Sequence, residues 1–321
     1  MKQITKILPI ALILLLILFA VSCEEKQYVL EFKPEKGSVF KLKWLVNTIE
    51  TQSMYWQPVT SNNTGEIILN NTVKADDTLL NIESLYEYIS FASDTGTDMS
   101  TDTGAEKLQY NSNDTTVYVS AHNQGPLLRT IVNKPFDIKI NKKGEIEEIA
   151  GFERIKPSFE KLFNIDEAIK AFFLKSAEKQ YGDNALKTGI ERFTAIFPDR
   201  PVSTDDSWEI NTKTYGNYTG YMKATLCLKK IKGDNAIIDY NAEINILPSE
   251  NESKMGGVTI RTKLNGIQTG TITININSGL PDNTDINQTM EGEIEISQGS
   301  MDSPIIIPVK QIISIKQSLI K

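Results

Sequence analysis

The sequence predicts an α+β chain that is mostly β: antiparallel twisted sheets in a half-barrel-like arrangement, formed by two β-halves joined by a central helical insert. Three observations predict it. Period-two alternation recurs on both sides of the middle, as in Phe136-x-Ile138-x-Ile140 and Ile272-x-Ile274-x-Ile276. Turn clusters such as Lys142-Lys143-Gly144 and Lys232-Gly233-Asp234-Asn235 punctuate those runs. Helical spacing is confined to residues 152–198, where Ile165, Ala168, Ile169, Phe172, Phe173 and Tyr181 fall on one face. The expected divisions are a leader over 1–22, an N-terminal β-half over 23–151, the helical insert over 152–198 and a C-terminal β-half over 199–321, the halves forming one composite domain.

Taken in order, residues 28–32 and 39–49 read as strands with Lys36-Gly37-Ser38 as their turn. Residues 67–73 and 79–88 pair as a hairpin around 74–77. Residues 93–106 are rich in Ser, Thr, Asp and Gly and read as a long exposed loop. Strands follow at 117–119, 136–140 and 145–149. In the insert, Pro157 suits a first helical position, where its missing N–H is harmless. Asn164 with Glu167 fits an N-cap and its capping-box partner. Gly182 is a stop, and Asp183 or Asn184 caps a second helix carrying Leu186, Ile190, Phe193 and Ile196. Gly189 weakens that helix by about 1 kcal/mol relative to Ala. The aromatic face of the insert is either a plug of the core, the preferred reading, or a cover over an apolar cavity. In the second case Ile169, Phe172 and Phe173 are the candidate ligand-binding residues.

Beyond Pro198 and Pro201, Asp205-Asp206-Ser207-Trp208 leads into the second β-half, with the Trp208 ring expected in the core. Residues 221–231 and 236–247 form a hairpin, and 256–264, 270–276, 290–296 and 305–315 complete the strands. Pro304 and Pro308 place the last of these at an edge or a bulge. Residues 73–80 resemble 231–238 in pattern, which leaves duplication and convergence equally open.

The formal net charge of −7 argues against a general affinity for nucleic acid. Of the two cysteines, Cys227 lies in an alternating run and reads as a small buried strand residue. His122, the one histidine, falls in a Gly- and Pro-containing loop, so no base–nucleophile pair suggests itself. Asp76-Asp77 and Asp205-Asp206 read as turns, because adjacent strand residues face opposite ways. Asp282-Asn283-Thr284-Asp285 reads as a turn and lacks the rest of a calcium loop. The expectation is a chain that is not an enzyme and takes no cofactor or metal.

At the N-terminus Lys2 and Lys6 precede an apolar run over residues 7–21, which ends in Ala20-Val21-Ser22-Cys23. Small residues before a cysteine resemble the lipobox of bacterial lipoproteins. The resemblance implies cleavage before Cys23 and its lipidation. The residue after the cysteine is Glu24, not Asp, which favours the outer membrane, facing the periplasm. The acidic pair Glu24-Glu25 also resembles surface-export signals.

The mature chain is similar to a family of bacterial lipoproteins with a domain of unknown function. The similarity rests on the lipobox, on Lys36-Gly37-Ser38-Val39-Phe40 with Trp44, and on Phe197-Pro198-Asp199-x-Pro201-Val202 leading to Asp206-x-Trp208. Asp205 stands where that pattern more often has Gly. In outline the chain is similar to half-barrel envelope lipoproteins and lipid carriers, which implies an apolar concave face closed by helices. The expected function is a non-enzymatic, lipid-anchored envelope protein that binds a lipid or acyl chain. The alternative is a structural lipoprotein that docks another envelope protein or a glycan.

Overall fold

The computed structural model describes residues 26–54, 57–76, 78–96, 107–114, 125–162, 167–215, 218–248, 252–255, 257–299 and 303–320. Its strands are β1 (Val39–Met54), β2 (Gln57–Asp76), β3 (Leu80–Gly96), β4 (Lys107–Asn111), β5 (Pro135–Ile140), β6 (Ile146–Ala150), β7 (Ser207–Thr214), β8 (Gly220–Lys232), β9 (Asn235–Ile246), β10 (Glu252–Met255), β11 (Val258–Asn275), β12 (Pro281–Gln298) and β13 (Ile305–Ile320). The helices are α1 (Gly125–Ile131), α2 (Phe152–Leu162), α3 (Glu167–Tyr181) and α4 (Asp183–Thr194).

All the strands belong to one sheet, in the order β6-β5-β3-β2-β1-β13-β12-β11-β9-β8-β7, with β4 added to β3 and β10 to β11. The pairings are antiparallel. The first and last strands join the two parts of the chain along a ladder from Lys41↔Ile320 to Gln52↔Val309. The sheet is open, because its ends, β6 and β7, do not pair with each other.

Alternation sets the two faces. Met222, Ala224, Leu226 and Leu228 of β8 are buried, as are Ala236, Ile238, Tyr240, Ala242, Ile244 and Ile246 of β9, so these side chains line the inner face. The same rule turns Cys227 outward: Leu226 and Leu228 take the inner positions, and Cys227 is only partly buried, its Sγ 3.6 Å from the Asp205 carbonyl. The expected buried cysteine is therefore corrected.

Glycines let the sheet curl. Gly266 and Gly270 lie at inner-face positions in mid-β11, in phase with Leu264, Gln268 and Ile272. A Cβ on Gly270 would sit 2.1 Å from the Asp285 carbonyl oxygen, and one on Gly266 would sit 2.5 Å from that of Thr289. A Cβ on Gly292 would likewise sit 2.0 Å from the Lys263 carbonyl oxygen. These are bends that bring neighbouring backbones close. The strands expected at 256–264 and 270–276 are consequently one strand, β11.

Other expectations shift for similarly local reasons. Residues 28–32 form no ladder strand. They cross the end of the sheet, with a Tyr28↔Val202 bridge and Phe32 N–H donating to the Lys142 carbonyl (2.8 Å), and they bury Leu30 and Phe32. Gly279, at φ +71°, leaves room for that crossing, since its Cβ would meet the Glu31 carbonyl at 2.1 Å. Residues 93–96, read as loop, continue β3, whereas 97–106 and 117–119 lie outside the described residues. Asp282–Asp285 lies within β12 and is not a turn. The last strand, β13, sits between β1 and β12, yet Pro308 obeys the edge rule: it pairs with Glu293 of β12 just beyond the point where the β1 ladder ends at Val309. Asp205 adopts φ +67°, a conformation glycine takes at little cost.

The insert also reads differently in detail. Pro157 lies inside α2, not at its start. The α2 N-terminus is instead capped from a distance: the Asp183 carboxylate accepts from the N–H groups of Gly151 (3.1 Å) and Phe152 (3.0 Å). Asp183 therefore does not cap its own helix, whose N-cap residue is Gly182. The Asn164 cap lies outside the described residues. Phe152, Phe159 and Tyr181 stack in a second small core with Ile155, Ala177, Ile131, Ile89 and Tyr110.

Helix α4 lies between the open ends of the sheet and is bonded to both. Ile146, which starts β6, donates its N–H to Glu191 Oε1 (2.8 Å), and Thr194 Oγ1 donates to the Gly144 carbonyl (2.7 Å). On the other side, Tyr215 N–H, just past β7, donates to Thr188 Oγ1 (2.9 Å), and Trp208 Nε1 donates to the Ile196 carbonyl (2.9 Å). The Ile146 bond occupies a backbone N–H of the edge strand β6 that would otherwise lack a partner strand. Burial raises the pKa of Glu191, against the lowering effect of the Ile146 N–H and of Lys187.

Candidate binding cavity

The lower part of α4 fills the space it covers, and the upper part does not. Ile190 and Phe193 are buried in the main core, where the Phe193 ring lies 6.1 Å from that of Trp44. Ala185 and Gly189 follow at helical spacing from Arg192 (i, i+4, i+7), so this stripe of α4 carries almost no side-chain volume before the arginine. A Cβ added to Gly189 would meet nothing within 4 Å. Between that stripe and the inner face of the sheet is a cavity of about 500 Å³, within the roughly 300–1,000 Å³ range of small-molecule sites.

Its floor and walls are apolar. Trp44 and Val46 of β1, Ile67 and Leu69 of β2, Met290 of β12, and Ile313 and Ile315 of β13 come from the sheet. Tyr86 and Ile89 of β3 both reach the cavity because a register shift at Ile68/Leu69 of β2 turns the odd-numbered Ile89 inward after the even-numbered Tyr86. Leu128 and Ile131 of α1, Tyr181 of α3, and Leu186 and Ile190 of α4 close the helical side. Burial pushes the Tyr86 phenol up to about 12 and raises Tyr181 further, so both stay neutral at ordinary pH.

The polar groups are few and gathered. Gln311 donates to Glu50 Oε2 at 2.6 Å and reaches the Tyr218 hydroxyl, ahead of β8, at 3.5 Å. Tyr240 donates to Gln268 Oε1 at 2.9 Å, and Gln268 donates in turn to Gln288, which lines the cavity. Arg192 lies with its guanidinium carbon 4.7 Å from the Phe193 ring centre. Burial lowers the Arg192 pKa, and its charge opposes the burial that pushes Tyr240 up to about 12. Among the described residues no carboxylate pairs with Arg192. The indole N–H of Trp44, 8% exposed, also has no acceptor among them.

A larger trough of about 1130 Å³ crosses the outer face and is lined by Lys213, Tyr221, Lys223, Glu243, Ile267 and Glu291. It is open to solvent and flanked by charges, as the saddle of a twisted sheet is, whereas the inner cavity has the apolar walls and the few convergent polar groups of a ligand site.

The residues singled out from sequence fare unevenly. Ile169, Phe172 and Phe173 belong to α3, but their side chains lie outside the described residues, as does Cys23. The sheet-derived wall of the cavity is not legible in the sequence. Alternation marks those residues only as inward-facing, and the pairing that brings β1, β2, β12 and β13 side by side is not written in any one segment. Gly189 did carry a signal: a glycine in a helix interior asks for a reason.

Fold and cavity together define a class: one large open antiparallel sheet, with a helix bonded near both of its ends over an apolar cavity. The chain belongs to the family described as Family of unknown function (DUF6263), whose sequence profile matches residues 92–281. No curated protein matches the chain. Among solved structures, a lipovitellin structure concerned with lipid–protein interactions aligns at TM-score 0.45 and 8% identity, over 87% of this chain and 25% of the other. The chain thus spans a quarter of that protein's length. The β domain of the Bordetella autotransporter BrkA aligns at TM-score 0.24 and 7% identity, over 87% and 98%. The outer-membrane protein OprG of Pseudomonas aeruginosa aligns at 0.22 and 5%, over 90% and 99%. Each likeness lies below the level at which it supports a conclusion about this chain.

Proposed function

We propose that the protein is a lipid-anchored, non-enzymatic envelope protein that holds one hydrophobic ligand, an acyl chain, in the cavity beneath α4. The observation that carries this reading is the cavity of about 500 Å³ with apolar walls from both sheet and helices. The lipobox-like Ala20-Val21-Ser22-Cys23 supports the anchor. Tyr28, a few residues beyond Cys23, is bonded at the end of the sheet where Phe32 and Val202 close the core. Gln311 and Tyr218 flank the cavity toward the other end of the strands. The described chain therefore enters the fold at the end of the sheet opposite Gln311 and Tyr218.

The test is native mass spectrometry of the chain produced without residues 1–23. The expected result is a protein carrying one lipid-sized adduct, removed by organic extraction and restored by added fatty acid. A protein that stays ligand-free, even with fatty acid in excess, refutes the reading.

A second reading, docking of another envelope protein, is favoured by one observation. Ile267, Thr289, Ile312 and Ile49 face one another across β11, β12, β13 and β1, and the three isoleucines are exposed on the outer face.

A further inference from the structure

We infer that the cavity is built for an anionic single-chain amphiphile, a long-chain carboxylate, whose head is held by Arg192. This rests on the cavity reading above and adds the ligand's head-group chemistry. A purely hydrocarbon site has no use for a guanidinium in its wall, because a partly buried charge without a counter-charge is costly. Arg192 carries that cost at the one stripe of α4 left open by Ala185 and Gly189, and its guanidinium is held against the Phe193 ring.

The surroundings are matched to an acceptor. The Trp44 indole, whose ring also contacts Phe193, offers a buried N–H with no acceptor among the described residues. Glu50, the nearby acid, does not line the cavity. Its two oxygens are taken by the Gln311 and Gln52 amides. The described cavity wall therefore carries one positive charge, on Arg192, and no carboxylate. A carboxylate supplies two acceptor oxygens and one negative charge to a planar guanidinium fork, while its alkyl chain fills the space bounded by Val46, Ile67, Ile89, Leu186 and Ile313. The missing carboxylate partner of Arg192 is, on this reading, part of the ligand.

The experiment measures binding of hexadecanoate and of hexadecanol, which share a chain and differ in charge, to the chain lacking residues 1–23. The wild-type protein is expected to prefer hexadecanoate by roughly tenfold or more, the scale of a hydrogen-bonded charge. Arg192→Met is expected to lose that preference while keeping hexadecanol binding, and Arg192→Lys to retain part of it. Equal affinity for the two ligands in the wild type, or a preference surviving in Arg192→Met, overturns the assignment of the head-group site and leaves the cavity reading standing. Failure of both ligands to bind the wild type overturns both. Hexadecyl phosphate as a third ligand separates carboxylate from phosphate: binding well above that of hexadecanoate would overturn the carboxylate.

Discussion

Replacing Gly189 with Trp abolishes acyl-chain binding and leaves the protein folded. Gly189 is exposed toward the cavity, and a side chain started there meets no atom within 4 Å, so an indole has room to enter without displacing the core formed by Ile190 and Phe193. It occupies the volume the ligand would use. Gly189→Ala is the matched control. It restores helix propensity in mid-α4 and is expected to raise stability by about 1 kcal/mol while leaving binding intact. Thermal unfolding read beside ligand titration separates the two effects. If Gly189→Trp binds hexadecanoate as tightly as the wild type, the ligand does not sit under α4.

The second large effect belongs to the curl of the sheet. Gly270→Val is expected to cost on the order of 3 kcal/mol or more, because the new Cβ would fall 2.1 Å from the Asp285 carbonyl and 2.8 Å from Ile286 Cα, and backbone cannot step aside as a side chain can. A valine introduced one position along, Thr271→Val, points to the outer face and is expected to change stability by no more than about 0.5 kcal/mol. Denaturant melts of the pair check this. Comparable stabilities would mean that the curvature does not depend on a bare backbone at 270.

The Gly270 position also shows how far the sequence can be read. Alternation in β5, β8 and β9 was plain, because one face is buried and the other wet, and the turns at 141–144 and 232–235 are spelled by Gly, Asp and Asn. Gly266 and Gly270 use the same residue type for a bend, so β11 read as two strands. Asp183 looked like a cap for the helix it begins and is one for α2, because the N-terminus that needs a carboxylate lies far away in sequence. The cavity was legible only as a question, plug or cover, posed for the aromatic face of the insert. Its described lining comes from Tyr181 of that face, even-numbered positions of β1 and β12, odd-numbered positions of β2 and β13, and the Ala185-Gly189-Arg192 stripe of α4, which long-range pairing brings together. Arg192 carries no signal of its own in the sequence, since a charge on a helix is ordinarily a solvated one.

Trp44, on the cavity wall, offers the most direct measurement. In a chain with Trp56→Phe and Trp208→Phe, Trp44 is the sole tryptophan, and a fatty acid brominated at mid-chain quenches a tryptophan only on contact. Titration is expected to quench Trp44 saturably at one ligand per chain, reversed by unlabelled hexadecanoate and absent when Gly189 is replaced by Phe, which fills the space without adding an indole. Quenching that never saturates, or that persists unchanged in Gly189→Phe, would contradict an acyl chain bound between the sheet and α4.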